Sequence, residues 1–371
     1  MIIYLITFSI SIVFTFMAQK CFKNNKKSIT GILMSMFAIT MPTLLASFRD
    51  ENVGTDVAVY MKKIFYLAAN SDTFLNYSQM TTIEFLYKVL NYIVACFSSN
   101  LHVFMFVAEF LIVSIVYISI YYYREKIPMW LAFLVFLLMY FNRSLNIVRQ
   151  SIAIPITFLA FKYIKEKNIV KYVITIIIAT LFHSSAFVAG MSYFIYYMLK
   201  NEKHTKFKTY LIIIIACLAI ANYGTILSYL IYNAKILPMK YAIHIPTGEI
   251  SIPLTESILK LMLILPILYC KKDLIKYNDD NEFLIFMLVI DFILLQAGML
   301  APFVQRISFY FGYYYIYVIP QLYVFLNKKG YSNINVIYIF ILFIYWYVVF
   351  VRMNYGETYP YTSGILGIER W

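Results

Sequence analysis

"LHVFMFVAEFLIVSIVYISIY", residues 101–121, carries one charged side chain, Glu109. A helix needs about 20 predominantly apolar residues to cross a hydrocarbon core of about 30 Å, and this run has that length. Comparable apolar runs recur from one end of the 371-residue chain to the other, in a composition that is 62% hydrophobic and 13% charged. The mean hydropathy is +0.75. A soluble chain of this length would suggest two or three domains, but this composition overrules that prior. Backbone groups in lipid must be satisfied internally, so runs of helical length read as an all-α polytopic bundle, a single membrane domain over residues 1–371.

The spans fall near 2–20, 29–47, 101–121, 128–142, 146–164, 170–182, 185–199, 209–231, 256–270, 283–300, 306–326 and 334–351. The first is read as a retained helix and not a signal peptide, because it lacks a basic leading segment. Lysines cluster in short loops at Lys20/Lys23/Lys26/Lys27, Lys162/Lys165/Lys167/Lys171, Lys200/Lys203/Lys206/Lys208, Lys271/Lys272/Lys276 and Lys328/Lys329, with Arg124 and Lys126 in one more. The positive-inside rule makes these loops cytoplasmic. About 12 transmembrane helices with both termini outside satisfy every loop, and leave outer loops near 48–82 and 232–255. A further apolar segment, 83–97, would invert all later loops if it crossed; it carries Glu84 and Lys88 and is expected to be interfacial or re-entrant. The basic charge of +13 therefore marks membrane orientation and not nucleic acid. Cys21, Cys96, Cys217 and Cys270 have no metal or disulfide spacing.

Arginine behaves differently from lysine. Six of its positions (Arg49, Arg143, Arg149, Arg306, Arg352 and Arg370) lie at the outer face or just inside it. Snorkelling at helix ends is the bland explanation. It does not account for arginine being concentrated where positive charge is normally depleted. Guanidinium grips phosphate bidentately, so an anionic lipid headgroup is the natural partner.

Four stretches carry candidate chemistry. In "FRDENVGTDVAVYMKKIF" (48–65), Gly54 permits a turn and Thr55 is a plausible helix cap. Asp56 sits at the positive helix end, and Val57, Tyr60, Met61, Ile64 and Phe65 form an apolar stripe suited to a membrane surface. In "FNRSLNIVRQSIAIP" (141–155), Asn142, Asn146, Arg149 and Gln150 form one polar stripe expected to face the interior or a wet cavity. In "LFHSSAFVAG", His183 ends a short span and is expected at the floor of an outward cavity. In "APFVQRISFYFGYYYIYVIP" (301–320), Arg306 precedes aromatic residues, Tyr310 among them, that can stack on sugars or simply pack. Glu109 and Asp291 are acids near mid-span, and Lys260 is a candidate partner of Asp291, as a structural pair or as part of a proton relay. The acids of "DENVGTD" lack cation-ligand spacing, so no metal and no cofactor is expected.

In this order the pieces resemble the EpsG family of bacterial exopolysaccharide polymerases, relatives of the Wzy O-antigen and capsule polymerases. Arg49, Gly54, Thr55, Asp56 and Tyr60 match its first-loop pattern; Arg149 and Gln150 after Asn146 match an "RQ" helix. Phe182, His183 and Ser185 match an "FH-S" turn, and Arg306, Ile307, Tyr310, Phe311 and Pro320 a late "RI--YF". The ending "YPYTSGIL" (359–366) is similar too, although the family pattern has a Gln and no glycine after Tyr361.

The resemblance implies a GT-C-like glycosyltransferase in the bacterial plasma membrane, with its active site on the outer side. There it would transfer a growing glycan from undecaprenyl pyrophosphate to the non-reducing end of a lipid-linked repeat unit. Arg49, Arg149 and Arg306 would hold the pyrophosphate, with Gln150, Tyr60 and Tyr310 also binding substrate. Asp56 is the first candidate base and His183 the second. Implied partners are the undecaprenyl-pyrophosphate-linked oligosaccharide, the bilayer, a chain-length regulator and a flippase. The competing readings are a flippase for the same lipid-linked unit and an O-antigen ligase. A flippase needs charge deep along its path, whereas these arginines stop at the outer face.

Overall fold

The computed structural model describes residues 1–200, 223–236, 239, 242, 245, 254–298 and 302–369. Its longer helices are α1 (Ile2–Asn24), α2 (Ile29–Phe48), α3 (Lys62–Ala69), α4 (Phe74–Met80), α5 (Phe85–Phe97), α6 (Leu101–Tyr123), α7 (Met129–Phe136), α8 (Val148–Leu159) and α9 (Ile169–Phe182). They continue with α10 (Met191–Lys200), α11 (Leu254–Tyr269), α12 (Asn281–Ala297), α13 (Pro302–Gly312), α14 (Tyr315–Lys328) and α15 (Ser332–Trp346). Ile2–Asn24, Ile29–Phe48, Leu101–Tyr123 and Ser332–Arg352 are each long and apolar enough to cross a membrane, and the segments 85–97, 129–144 and 169–182 are shorter apolar helices. Among the described residues the secondary structure is helical apart from one isolated bridge, Ser363 with Ile368, and the apolar spans make this a multi-pass membrane protein.

Local chemistry sets the helix starts. Ser28 caps α2 by accepting from the Gly31 amide at 3.2 Å. Asn100 caps α6 through the His102 amide, and Asn168 caps α9 through that of Lys171. Each side-chain oxygen satisfies one of the amides a helix start leaves without an intrahelical partner.

Two compact units result: Met1–Phe187 with Ile319–Trp371, and Val188–Val318. No change of composition marks the division. Within the first unit, the basic turns gather at one end. Lys26 pairs with Glu125 at 2.7 Å, the Tyr121 hydroxyl donates to the Lys26 carbonyl, and Lys162 lies over the Tyr122 ring. At the other end the start of α1, the end of α2 and the C-terminal tail meet: the Tyr4 hydroxyl donates to the Thr358 carbonyl (2.7 Å) and that of Tyr361 to the Leu45 carbonyl (2.9 Å). The start of α1 and the C-terminal tail thus share one end with the loop after α2.

Several expected spans are subdivided. The expected span 306–326 is two helices, α13 and α14, separated at Tyr313–Tyr314. Gly312, a weak helix former, is the last residue before that break. The expected span 185–199 opens as a 3₁₀ stretch, Ser184–Gly190, before α10. Most of the expected span 209–231 and of the loop 232–255 lies outside the described residues. Segment 83–97 is helical as α5, whose 13 residues cover only about 20 Å at 1.5 Å per residue. In the second unit Lys260 and Asp291 are both buried and bond at 2.7 and 2.9 Å, the partnership expected from sequence.

Candidate functional site

The loop after α2 is held from three sides. Arg49 is 1% exposed, and its guanidinium donates to the carbonyls of Val53 (3.1 Å), Leu145 (3.0 Å) and Ala46. The rigid fork of guanidinium donors ties the last turn of α2, the loop and the distant 145 turn into one knot. Gly54 has φ +94°, and a Cβ there would meet the Leu145 carbonyl oxygen at 2.6 Å. Conformation and close approach both require glycine. From the tail, the Gly54 amide donates to the Glu357 carbonyl, the Asp50 amide to that of Thr362, and the Gly364 amide to Asp50 Oδ1.

This knot positions Asp56 and the following helix. The Asp56 amide donates to Asn146 Oδ1 at 2.8 Å, so the cap comes from a distant turn and not from Thr55. The helix opens as a wide π turn, Val57–Met61, and continues as α3. Such turns are frequent at functional sites. The stripe expected on the membrane surface divides: Val57, Met61, Ile64 and Phe65 are buried, and Tyr60 alone is exposed, at 54%. The bundle takes these four apolar side chains out of water, so the stripe needs no membrane surface to cover it.

The polar stripe expected along one helix is instead collected at a break. The helix ending at Asn142–Ser144 turns through Leu145–Ile147 into α8. Asn142 accepts from Trp346 Nε1 (2.8 Å) and donates to Thr358 Oγ1 (3.0 Å), binding α15 and the tail to the break. Gln150 is buried in the first turn of α8. Arg149 projects to Glu84, whose Oε2 lies 2.7 Å from Nη1.

Glu84 is the residue that sequence reasoning missed as a participant. It sits at the N-terminal boundary of α5, and its second oxygen is 3.2 Å from both His183 Nδ1 and the Ser184 amide. The His183 contact is at ion-pair distance but outside hydrogen-bond alignment. Burial pushes the Glu84 carboxyl up, but His183 and Arg149 outweigh it and hold the group at about 2. It is therefore a carboxylate throughout the physiological range. A sequence signal existed, an acid directly before an apolar helix, but nothing in the sequence joins position 84 to 149 and 183.

Asp56, Tyr60, Met61, Ile64, Tyr87, Val148 and Arg149 line a cleft of about 10 Å³, room for about one water. Asp56 and Arg149 thus share one cleft, with Glu84 and His183 bonded or paired behind Arg149. A carboxylate, a guanidinium and an imidazole converge at one end of the first unit. Arg306 is exposed and Tyr310 is 2% exposed, both on α13 of the second unit. The aromatic run expected to offer rings to sugars is buried at Phe309, Tyr310, Phe311, Tyr313, Tyr314, Tyr315 and Tyr317, so packing describes it. Glu109, the mid-span acid of α6, accepts from Ser144 Oγ at 2.7 Å.

No curated protein and no solved structure matches this chain. Residues 32–363 do match the EpsG family, a range that includes the Arg49 knot, the Glu84–Arg149–His183 cluster and most of the tail. The chain belongs to the EpsG family, which is linked to exopolysaccharide biosynthesis.

Proposed function

We propose that this protein is a polysaccharide polymerase that moves a growing glycan from undecaprenyl pyrophosphate onto a lipid-linked repeat unit at the outer face of the bacterial plasma membrane. The observation that supports the reading is the cleft lined by both Asp56 and Arg149, with Glu84 bonded to Arg149 and at ion-pair distance from His183. Transfer needs a base for the acceptor hydroxyl and a cation for the departing diphosphate; Asp56 and Arg149 are groups of those two kinds lining one cleft, which must open beyond its one-water volume to admit substrate.

The attacking sugar hydroxyl gives its proton to Asp56, with His183 as the second candidate. Its oxygen bonds to the anomeric carbon of the donor chain. The bond from that carbon to the pyrophosphate oxygen breaks, and the electron pair leaves with undecaprenyl pyrophosphate. Arg149 stabilises the charge that develops there, and a preorganised cation at that point contributes several kcal/mol in such sites. Glu84 aims the guanidinium and is a positioning residue. Arg49 also positions, because its donors are turned onto carbonyls. The family pattern assigns Arg306 to the same anion on sequence alone, and Tyr310 is assigned to packing.

The test is a gel of surface glycan from a deletion strain complemented with wild type or Arg149→Ala. A ladder with wild type and a single-repeat band with the variant support polymerisation through Arg149. Complete absence of surface glycan in the deletion strain, single repeats included, points to a flippase and overturns the reading.

A further inference from the structure

The tail and the first loop enclose a second cavity, of about 320 Å³, lined by Asn52, Val53, Asn354, Glu357, Tyr359, Pro360 and Thr362. It is separate from the Asp56–Arg149 cleft, with which it has no lining residue in common. Its volume falls in the range of small-ligand sites, roughly 300–1,000 Å³.

The lining selects among ligand classes. It contains no lysine, arginine or histidine, so a phosphate or pyrophosphate has no cation to meet. Glu357 is its one carboxylate, too few for a calcium site, which takes about 6–8 oxygen ligands. Val53 and Pro360 are its aliphatic members, which leaves little for a lipid tail. Two amides, a hydroxyl, a carboxylate and a phenol ring remain. They offer donors and acceptors around one aromatic face, the combination that a sugar's hydroxyls and C–H surface would meet. Glu357 disfavours an acidic sugar.

We propose that this cavity is a glycan subsite that takes a neutral or amino-bearing sugar residue away from the point of transfer. The inference rests on the polymerase reading for its biological sense, but not for its test. The site is built into the same knot as the catalytic loop. Asn52 and Val53 precede Asp56 by a few residues, and the Gly54 amide donates to the Glu357 carbonyl at 2.9 Å. The Asn354 side chain accepts from the Tyr359 amide at 2.9 Å, so the tail wall is braced from within. A sugar seated here would hold a glycan against the loop while its end reacts in the neighbouring cleft.

The experiment is a binding titration on the purified full chain in nanodiscs, read by saturation-transfer NMR. The probe is the lipid-free oligosaccharide released by mild acid from the host strain's own surface glycan. Asn52→Ala and Glu357→Gln are the test variants, since both side chains are exposed. Loss of one hydrogen bond predicts affinity about three- to tenfold weaker in each. Unaltered binding in both correctly folded variants overturns the site, as does no wild-type binding at about 20 mM probe, beyond the weak end of useful affinity. Should a variant fail to fold, Tyr359→Phe supplies the same comparison. The titration involves no transfer step, so failure of the Arg149 gel leaves its result standing, and the reverse holds as well.

Discussion

Replacing Glu84 by Gln keeps the shape of the side chain and removes the charge that faces Arg149 and His183. Charge-assisted hydrogen bonds contribute about 1.5–3 kcal/mol. The Arg149 side chain is 32% exposed and that of Glu84 17%, so solvent screening favours the low end, about 1.5–2 kcal/mol. If that energy holds the guanidinium where pyrophosphate charge develops, its loss slows transfer by about 10- to 30-fold. Ladder growth from a labelled lipid-linked repeat in membrane vesicles, normalised to protein amount, measures the rate. The deficit should lie in kcat, since aim is lost and not substrate affinity. The pH dependence sharpens the test. The folded carboxyl sits at about 2 against an unfolded value of 4.5. Its stabilisation is thus complete above the unfolded value and is lost as pH falls through the folded one. The Glu84→Gln deficit should therefore be constant from about pH 5 to 8. Wild-type rate in this variant, or a deficit that vanishes at the acid end, refutes the positioning role.

Three further outcomes test the scaffold. Gly54→Ala forces a side chain into positive φ, about 1–2 kcal/mol before its collision with the Leu145 carbonyl is counted; the thermal unfolding midpoint in detergent should fall, and an unchanged midpoint contradicts the tight approach. Arg49→Lys keeps the charge but cannot reach three carbonyls, and losing two such bonds costs about 3–5 kcal/mol. Protein yield and stability should drop together with polymer; normal stability with lost polymer would instead make Arg49 a substrate ligand. Lys260→Met leaves Asp291 buried alone at a cost of about 3–5 kcal/mol, whereas Lys260→Met with Asp291→Leu should recover stability and polymer. Recovery of stability without polymer would turn the pair from structural into functional.

The sequence made the helices legible because span length and lysine placement are local properties of the chain. It also singled out Asp56, Arg149 and His183, since a charged side chain among apolar runs stands out. What it left hidden is whatever depends on pairing across the fold. Glu84 read as an argument against a span, although its meaning lies in two partners at positions 149 and 183. Periodicity identified the Val57–Phe65 stripe but not its side, because an apolar face fits a membrane surface or a protein core equally well. The stripe at Asn142–Gln150 assumed an unbroken helix; the turn at Leu145–Ile147 redirected each member to a different partner.

The arginines show why residue type identifies a face more securely than a role. Arg49, Arg143 and Arg149, all in the first unit, each meet different chemistry. Arg49 donates only to backbone carbonyls, so its charge organises a loop. Arg143 lies over the Phe350 ring and reaches the Tyr345 hydroxyl, tying the helical break to the end of α15. Arg149 meets a carboxylate at the edge of a cleft, where an incoming diphosphate can compete with or share its donors. The same planar cation serves as knot, brace and candidate ligand, and what separates the roles is the partner each fork finds. Mutating Arg49 or Arg149 to Ala would lower polymer formation in either case, so loss of polymer alone does not distinguish a knot from a ligand. Stability does: it should collapse for Arg49, which loses three carbonyl bonds, and fall for Arg149 by only about 1.5–2 kcal/mol, the energy of its contact with Glu84, and equal losses at the two would remove the distinction drawn here.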